Sequence, residues 1–247
     1  MKKVLLQPAY VLQVRPYRDT SALVEIFTPD FGRISLVARG VKSGNSKIRG
    51  LLQPFRRLLI SWYGAKELKS LVAAEEDGGV ISVKADGLVS ALYVNELLVR
   101  LLHRHEEHES LFDLYQNILK TLEGTDNISK DLRLFEKSLL QELGYGVMLE
   151  YNAETGEPID QNERYLYQVE VGPVPYNPVV SGSIINTSLS KNKVGIIVHG
   201  ESLLSLARGN LDDARSVQES KKLMRYIINR YLEGKPVKSR ELLAVSY

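Results

Sequence analysis

Seven consecutive residues, His103-Arg104-His105-Glu106-Glu107-His108-Glu109, hold the densest set of metal-capable side chains in the sequence. On a helix, His105 and His108 would share a face, with Glu109 four residues beyond His105. Neutral imidazole is a common metal ligand, and such a site among carboxylates would suit a metal-dependent nuclease. Against this, the helical pattern ends at the cluster, Arg104 sits inside it, and nothing orients a ring through a further hydrogen bond. A solvated helix end fits the spacing better, so no metal and no cofactor is expected.

Other catalytic chemistry is poorly provided for. The phosphate-cradling G-x-x-x-x-G-K-[ST] loop is missing, and Gly234-Lys235 lacks the upstream glycine. There is no G-x-G-x-x-G fingerprint, no G-x-S-x-G elbow and no D-x-D pair. Asp212-Asp213 stands where a helix begins and matches the helix dipole. With no cysteine there is no thiol nucleophile, disulfide or thiolate metal site. An enzyme is not expected.

Charge gives a stronger signal. Residues 1–72 hold 13 Lys or Arg against 4 Asp or Glu, a balance of +9, and the rest of the chain balances at −7. A compact module so basic attracts polyanions. In Arg33-Ile34-Ser35-Leu36-Val37-Ala38-Arg39, strand alternation sends Ile34, Leu36 and Ala38 to one face and Arg33 and Arg39 to the other. Lys42, Lys47 and Arg49 follow among Ser43, Gly44, Asn45 and Ser46, a composition suited to a mobile, phosphate-wrapping loop. Arg56 and Arg57 point oppositely, so only one, taken as Arg57, joins that surface. Of Tyr10, Tyr17, Phe27, Phe31 and Trp62, most are expected in the core and one or two could stack on bases. A second basic patch, Lys235, Lys238 and Arg240, closes the chain. Arg133, beside Leu132, Leu134 and Phe135, could hold a carboxylate-tipped peptide, although spacing favours an intrahelical pair with Glu136.

These residues need elements to position them. The 247 residues, 44% hydrophobic and 25% charged, exclude disorder, collagen and a membrane bundle. The apolar run Leu88 to Leu102 is broken by Ser90, Asn95, Glu96 and Arg100, and Lys2-Lys3 precedes too short an apolar run for a signal peptide. Strands are predicted at Ala9 to Tyr17, Ser21 to Thr28, Arg33 to Arg39, Phe55 to Trp62 and Glu67 to Glu75, with a short helix at Ser46 to Leu52. That order is the order of an OB-fold barrel, which binds single strands in a basic groove. From Asp86 the period becomes helical, with helices over about 88–102 and 109–122, one capped by Ser129 and ending near Gly144, and one over 212–233. The expected class is α+β, a five-stranded barrel over 1–80 and a mostly helical domain over 81–247, irregular at about 152–210 with a strand at Arg164 to Val171.

The chain also resembles the RecO family of bacterial DNA repair and recombination mediators. The likeness runs through Arg15-Pro16-Tyr17, Phe27-Thr28, Val37-Ala38-Arg39-Gly40 and Leu52-Gln53-Pro54-Phe55. It continues at Tyr93-Val94-Asn95-Glu96-Leu97-Leu98, Leu132-Arg133-Leu134-Phe135-Glu136, Leu143-Gly144-Tyr145-Gly146 and Gly234-Lys235-Pro236-Val237-Lys238-Ser239-Arg240. The resemblance implies an OB-fold followed by a helical domain, binding of single- and double-stranded DNA, and ATP-independent annealing. It implies action with RecR to load RecA onto strands coated by single-strand binding protein, in the cytoplasm at the nucleoid. It also implies docking of that protein's acidic, phenylalanine-ended tail on the helical domain, with Arg133, Leu134 and Phe135 at matching positions. Many members hold zinc with four cysteines, which this chain lacks. The rival readings are an OB-fold RNA-binding module, since nothing here reads a 2′-OH, and the nuclease above.

Overall fold

The computed structural model describes residues 3–42, 46–78, 85–176 and 195–245. Five strands form a closed barrel: β1 (Lys3–Tyr17), β2 (Ser21–Thr28), β3 (Gly32–Ala38), β4 (Arg57–Tyr63) and β5 (Leu68–Glu76). Their order around the barrel is β1-β2-β3-β5-β4, with β4 closing on β1 and β3 parallel to β5. A 3-10 turn (Lys47–Gly50) lies between β3 and β4, where a short helix is expected. This is the OB-fold. Alternation fills its interior: Val24, Ile26, Ile34, Leu36, Leu58, Ile60 and Trp62 are all essentially sealed from solvent. Two irregularities in β1, between Val4 and Gln7 and between Val11 and Gln13, let one long strand pair with both β2 and β4.

Three helices pack with the barrel in the first of two compact units, Met1–Ile128 with Val237–Tyr247. They are α1 (Ala85–Leu101), α2 (Glu109–Gly124) and, from the end of the chain, α6 (Ser239–Val245). Aromatic rings join barrel and helix: Tyr10 and Phe27 meet Phe112 and Tyr115 with centroids 5.0–6.2 Å apart. Asn95 of α1 donates to the Leu12 carbonyl at 2.8 Å and accepts from the Tyr115 hydroxyl at 2.6 Å, so a buried amide is satisfied from both sides. Glu96 holds the start of α6 by accepting from the Lys238 and Ser239 backbone N–H groups and the Ser239 hydroxyl. Burial alone would raise its pKa, but these donors and Arg100 hold it below the usual carboxylate range.

The second unit, Ser129–Pro236, is built from α3 (Ile128–Glu142), a sheet of order β7-β6-β8, α4 (Gly200–Arg208) and α5 (Ala214–Tyr231). The strands are β6 (Arg164–Gln168), β7 (Gly172–Pro175) and β8 (Ile196–His199). Helix α3 begins at Ile128, so Ser129 lies inside it rather than capping it, while Gly144 closes the turn after it at φ +74°. Asp213 caps α5 by accepting from the Ser216 N–H at 2.9 Å. Part of the stretch expected to be irregular, 196–208, is β8 and α4. Residues 149–159 turn back on themselves, with Tyr151 bridged to Pro158 and the Asn152 side chain accepting from the Glu154 N–H.

Candidate nucleic-acid interface

Cross-strand partners share a face, so the register identifies the barrel's outer surface. Ala22 and Ala38 are opposite each other and buried. Their neighbours therefore face out, and Arg15, Leu23, Val37 and Ser70 form one transverse row over β1, β2, β3 and β5. Tyr17 and Ser21 form the next row, with Arg39 just past the end of β3. The β1–β2 turn is stapled to this end: Lys42 donates its backbone N–H to the Thr20 carbonyl at 3.1 Å and its Nζ to the Arg18 carbonyl at 2.9 Å. Arg18, in the left-handed region at φ +51°, places its guanidinium 5.2 Å from the centre of the Tyr17 ring.

Arg15, Arg18, Arg39 and Lys42 thus surround one end of the barrel, all exposed. No acidic side chain pairs with any of them among the described residues, and Asp19 is the one acid in the β1–β2 turn. Arg49 is also exposed, on the 3-10 turn that follows. Tyr17, half-buried here, is the aromatic left near the cations. Tyr10, Phe27 and Trp62 are core, and Phe31 packs edge-on against Trp62 at 5.4 Å.

Arg33 is not on that surface. Its Nη1 pairs with Glu25 at 3.2 Å and its Nε donates to the Leu102 carbonyl at 3.2 Å. The reason is a segment that strand alternation does not anticipate: residues 102–108, between α1 and α2, lie along β3. The His105 N–H donates to the Arg33 carbonyl and the His108 N–H to the Pro29 carbonyl, each at 3.2 Å. Arg104 brings a second guanidinium to Glu25 at 3.6 Å and also pairs with Glu67. Glu25, only 6% exposed, accepts from the Ser35 hydroxyl as well.

The same segment overturns the helical arrangement of the histidines. His105 has φ +66° and faces Lys69 at 3.4 Å, while His108 precedes α2 and lies 3.6 Å from Glu106. Burial, with Lys69, Arg104 and Arg33 nearby, lowers the His105 pKa against the opposing pull of Glu67. Among the described residues no group of three or more His, Asp or Glu could hold a metal ion.

The remaining expected contacts are dispersed. Arg57 pairs with Asp77 at 2.8 Å and donates to Gln116 of α2 at 2.5 Å, so it ties β4 to a helix. The Lys47 side chain and Ser43-Gly44-Asn45 lie outside the described residues. Lys235 pairs with Glu233 at 3.1 Å, and Arg240 packs on Tyr93 and donates to its hydroxyl at 3.1 Å. Among the described residues, Lys238 is the one member of that patch whose exposed side chain has no partner. In the second unit, Arg133 is 6% exposed and its guanidinium makes a two-pronged pair with Glu136, at 2.7 and 2.5 Å. Phe135 is buried beside it, and Leu134 is half-buried. The intrahelical partner thus fills the fork that a peptide carboxylate would need.

Two residues of the barrel surface, Arg15 and Arg18, escaped the sequence reading. Their signal is present in parity: Arg15 and Tyr17 share a face opposite Pro16, once the irregularity at Val11 is placed.

Comparison with known proteins bears on what such a barrel serves. The model of the Recombination protein O N terminal family matches residues 1–76, and that of the Recombination protein O C terminal family matches residues 85–241. The DNA repair protein RecO of Nitrosococcus oceani is 46% identical over 241 residues, covering 98% of this chain and 93% of that protein. Its counterpart in Nitrosospira multiformis is 40% identical, covering 96% and 93%, and that of Methylococcus capsulatus 39%, covering 99% and 95%.

Proposed function

The chain belongs to the RecO family of DNA repair and recombination proteins, and from that premise we propose that it is a non-enzymatic mediator that binds DNA through one end of its barrel. The observation that carries this reading is the set Arg15, Arg18, Arg39 and Lys42, four exposed cations around the β1–β2 turn with no acidic partner among the described residues. The OB-fold commonly binds oligonucleotides through its β2–β3 face and its β1–β2 loop, which is where these residues stand. With Arg49, five phosphates would be neutralised, giving a log–log salt slope near −3.5 on a single strand, from about −0.7 per contact. Tyr17 offers a base a stacking surface.

Mediator activity follows from holding strands by their phosphates. Screened strands can approach while their base edges stay open, so complementary strands anneal without ATP. The protein works with RecR to load RecA onto strands coated by single-strand binding protein, in the cytoplasm at the nucleoid. The acidic tail of the coating protein docks on the helical part of the chain, which tethers the mediator to its substrate and raises local concentration. Such a tail would reach Arg133 only by displacing Glu136.

The test is annealing of complementary labelled oligomers without ATP, on bare strands and on strands coated by single-strand binding protein. Annealing on both, lost on coated strands when the acidic tail is deleted, is the expected result. Binding without annealing would leave a generic OB module and overturn the mediator reading.

A further inference from the structure

The acidic balance of the chain beyond residue 72 conceals a basic helix. Helix α5 carries Arg215, Lys221, Lys222, Arg225 and Arg230 against a single acid, Glu219. All five cations are exposed, and none forms an ion pair among the described residues. Glu219 stands four residues from Arg215, at the border between the stripe and the buried face, but its carboxylate is committed to His199. Its carboxylate accepts from the His199 N–H at 3.0 Å and meets His199 Nδ1 at 2.7 Å. Burial would raise the Glu219 pKa, but the His199 N–H, the Ser202 hydroxyl and the imidazole hold it low. His199 is fixed in turn by Arg164, whose Nε donates to Nε2 at 3.1 Å.

The cations are also aligned. At 3.6 residues per turn, Arg215, Gln218, Lys221, Lys222 and Arg225 fall within about a third of the helix circumference. From Arg215 to Arg225 the stripe is about 15 Å long, at 1.5 Å per residue. The opposite face, Ser216, Ser220, Leu223, Met224, Ile227 and Ile228, is buried and holds the helix in place. Apolar side chains are absent from the stripe, so it offers nothing to a hydrophobic peptide end. A row of cations with an amide among them is what a phosphate backbone takes, since amides hydrogen-bond phosphate oxygens as well.

We infer that this face of α5 is a second DNA-backbone surface, independent of the barrel. It rests on the reading of the protein as a DNA-binding mediator, but not on which barrel residues touch DNA. Two phosphate-binding surfaces on one chain would let two strands be held at once, which annealing requires.

The experiment compares the full chain with Lys222→Gln/Arg225→Gln in binding a labelled DNA duplex by anisotropy across a salt series. Lys3→Gln/Lys120→Gln, which removes two exposed cations elsewhere, controls for net charge. The expected result is a salt slope shallower by about 2 and affinity about 30-fold lower at 0.15 M salt in the α5 variant only. Retained melting temperature in the variant ensures that the loss is local. A wild-type slope in the α5 variant would overturn the second surface, and so would an equal loss in the charge control. Unchanged DNA binding with lost binding of labelled oligoglutamate would also overturn it, by reassigning the stripe to acidic protein segments. Failure of the wild-type chain to bind DNA at all would instead sink the mediator reading itself.

Discussion

Gly32 lies directly beneath Glu106: a β-carbon built on Gly32 would stand 1.8 Å from the Glu106 carbonyl oxygen. This contact joins the start of β3 to the segment between α1 and α2, and Gly32 also sits at φ +60°. Only glycine meets both demands without strain. Gly32→Ala is therefore expected to lift residues 102–108 off β3 and to cost about 2 kcal/mol or more of stability. Urea unfolding of the two proteins measures this.

Arg33 and Arg39 differ in kind although six residues apart on or beside one strand. Arg33→Ala leaves the buried Glu25 with the Ser35 hydroxyl and the longer Arg104 contact, and breaking such a pair costs about 3 kcal/mol. Arg39→Ala removes an exposed charge and should change stability by less than about 0.5 kcal/mol. Melting curves and DNA salt slopes should thus separate them. Arg33→Ala lowers the melting temperature, while Arg39→Ala leaves it and flattens the slope.

That contrast shows how far the sequence could be read. Alternation correctly put Ile34, Leu36 and Ala38 inside, and β2 to β5 fell close to their predicted bounds because each is a period-2 run between turn residues, whereas β1 starts at Lys3 rather than Ala9, its period broken by the irregularity between Val4 and Gln7. The outer side of β3 was misjudged because residues 102–108 cover it, a contact about seventy residues away that no local pattern announces. Strand β7 was missed as well, since Pro173 and Pro175 read as irregular; both are tolerated because β7 is an edge strand. Helix α4 opens at Gly200, where a β-carbon would stand 1.9 Å from the Asp160 carbonyl oxygen, again a long-range constraint. The stripe on α5 was legible in the helical period of its cations, but the net charge of the whole second part masked it.

His105 gives the covering segment a pH dependence. Its pKa is lowered in the folded protein, by burial first and then by Lys69, Arg104 and Arg33, so the unfolded chain binds the extra proton more readily. The stabilisation is thus complete above the unfolded value of about 6.5 and is lost as pH falls below it. Melting temperature should drop between pH 7.5 and 5.5 in the wild type and less in His105→Gln. Equal drops in both would remove His105 as the cause.

Arg133 and Glu136 should behave as one unit. Arg133→Ala takes the two-pronged partner from a carboxylate that is 1% exposed and should cost about 3 kcal/mol. Replacing both, as Arg133→Met/Glu136→Leu, should recover much of that loss, because no buried charge is then left alone. A double variant as unstable as the single one would show that the pair is not what holds Arg133.

The barrel assignment is tested most directly by the salt dependence of binding to a labelled oligo-dT strand, for the wild type and Arg39→Ala/Lys42→Ala. Five phosphate contacts predict a wild-type slope near −3.5, and removing two should bring it to about −2. A variant that keeps both the wild-type affinity and the wild-type slope would contradict the placing of DNA at this end of the barrel.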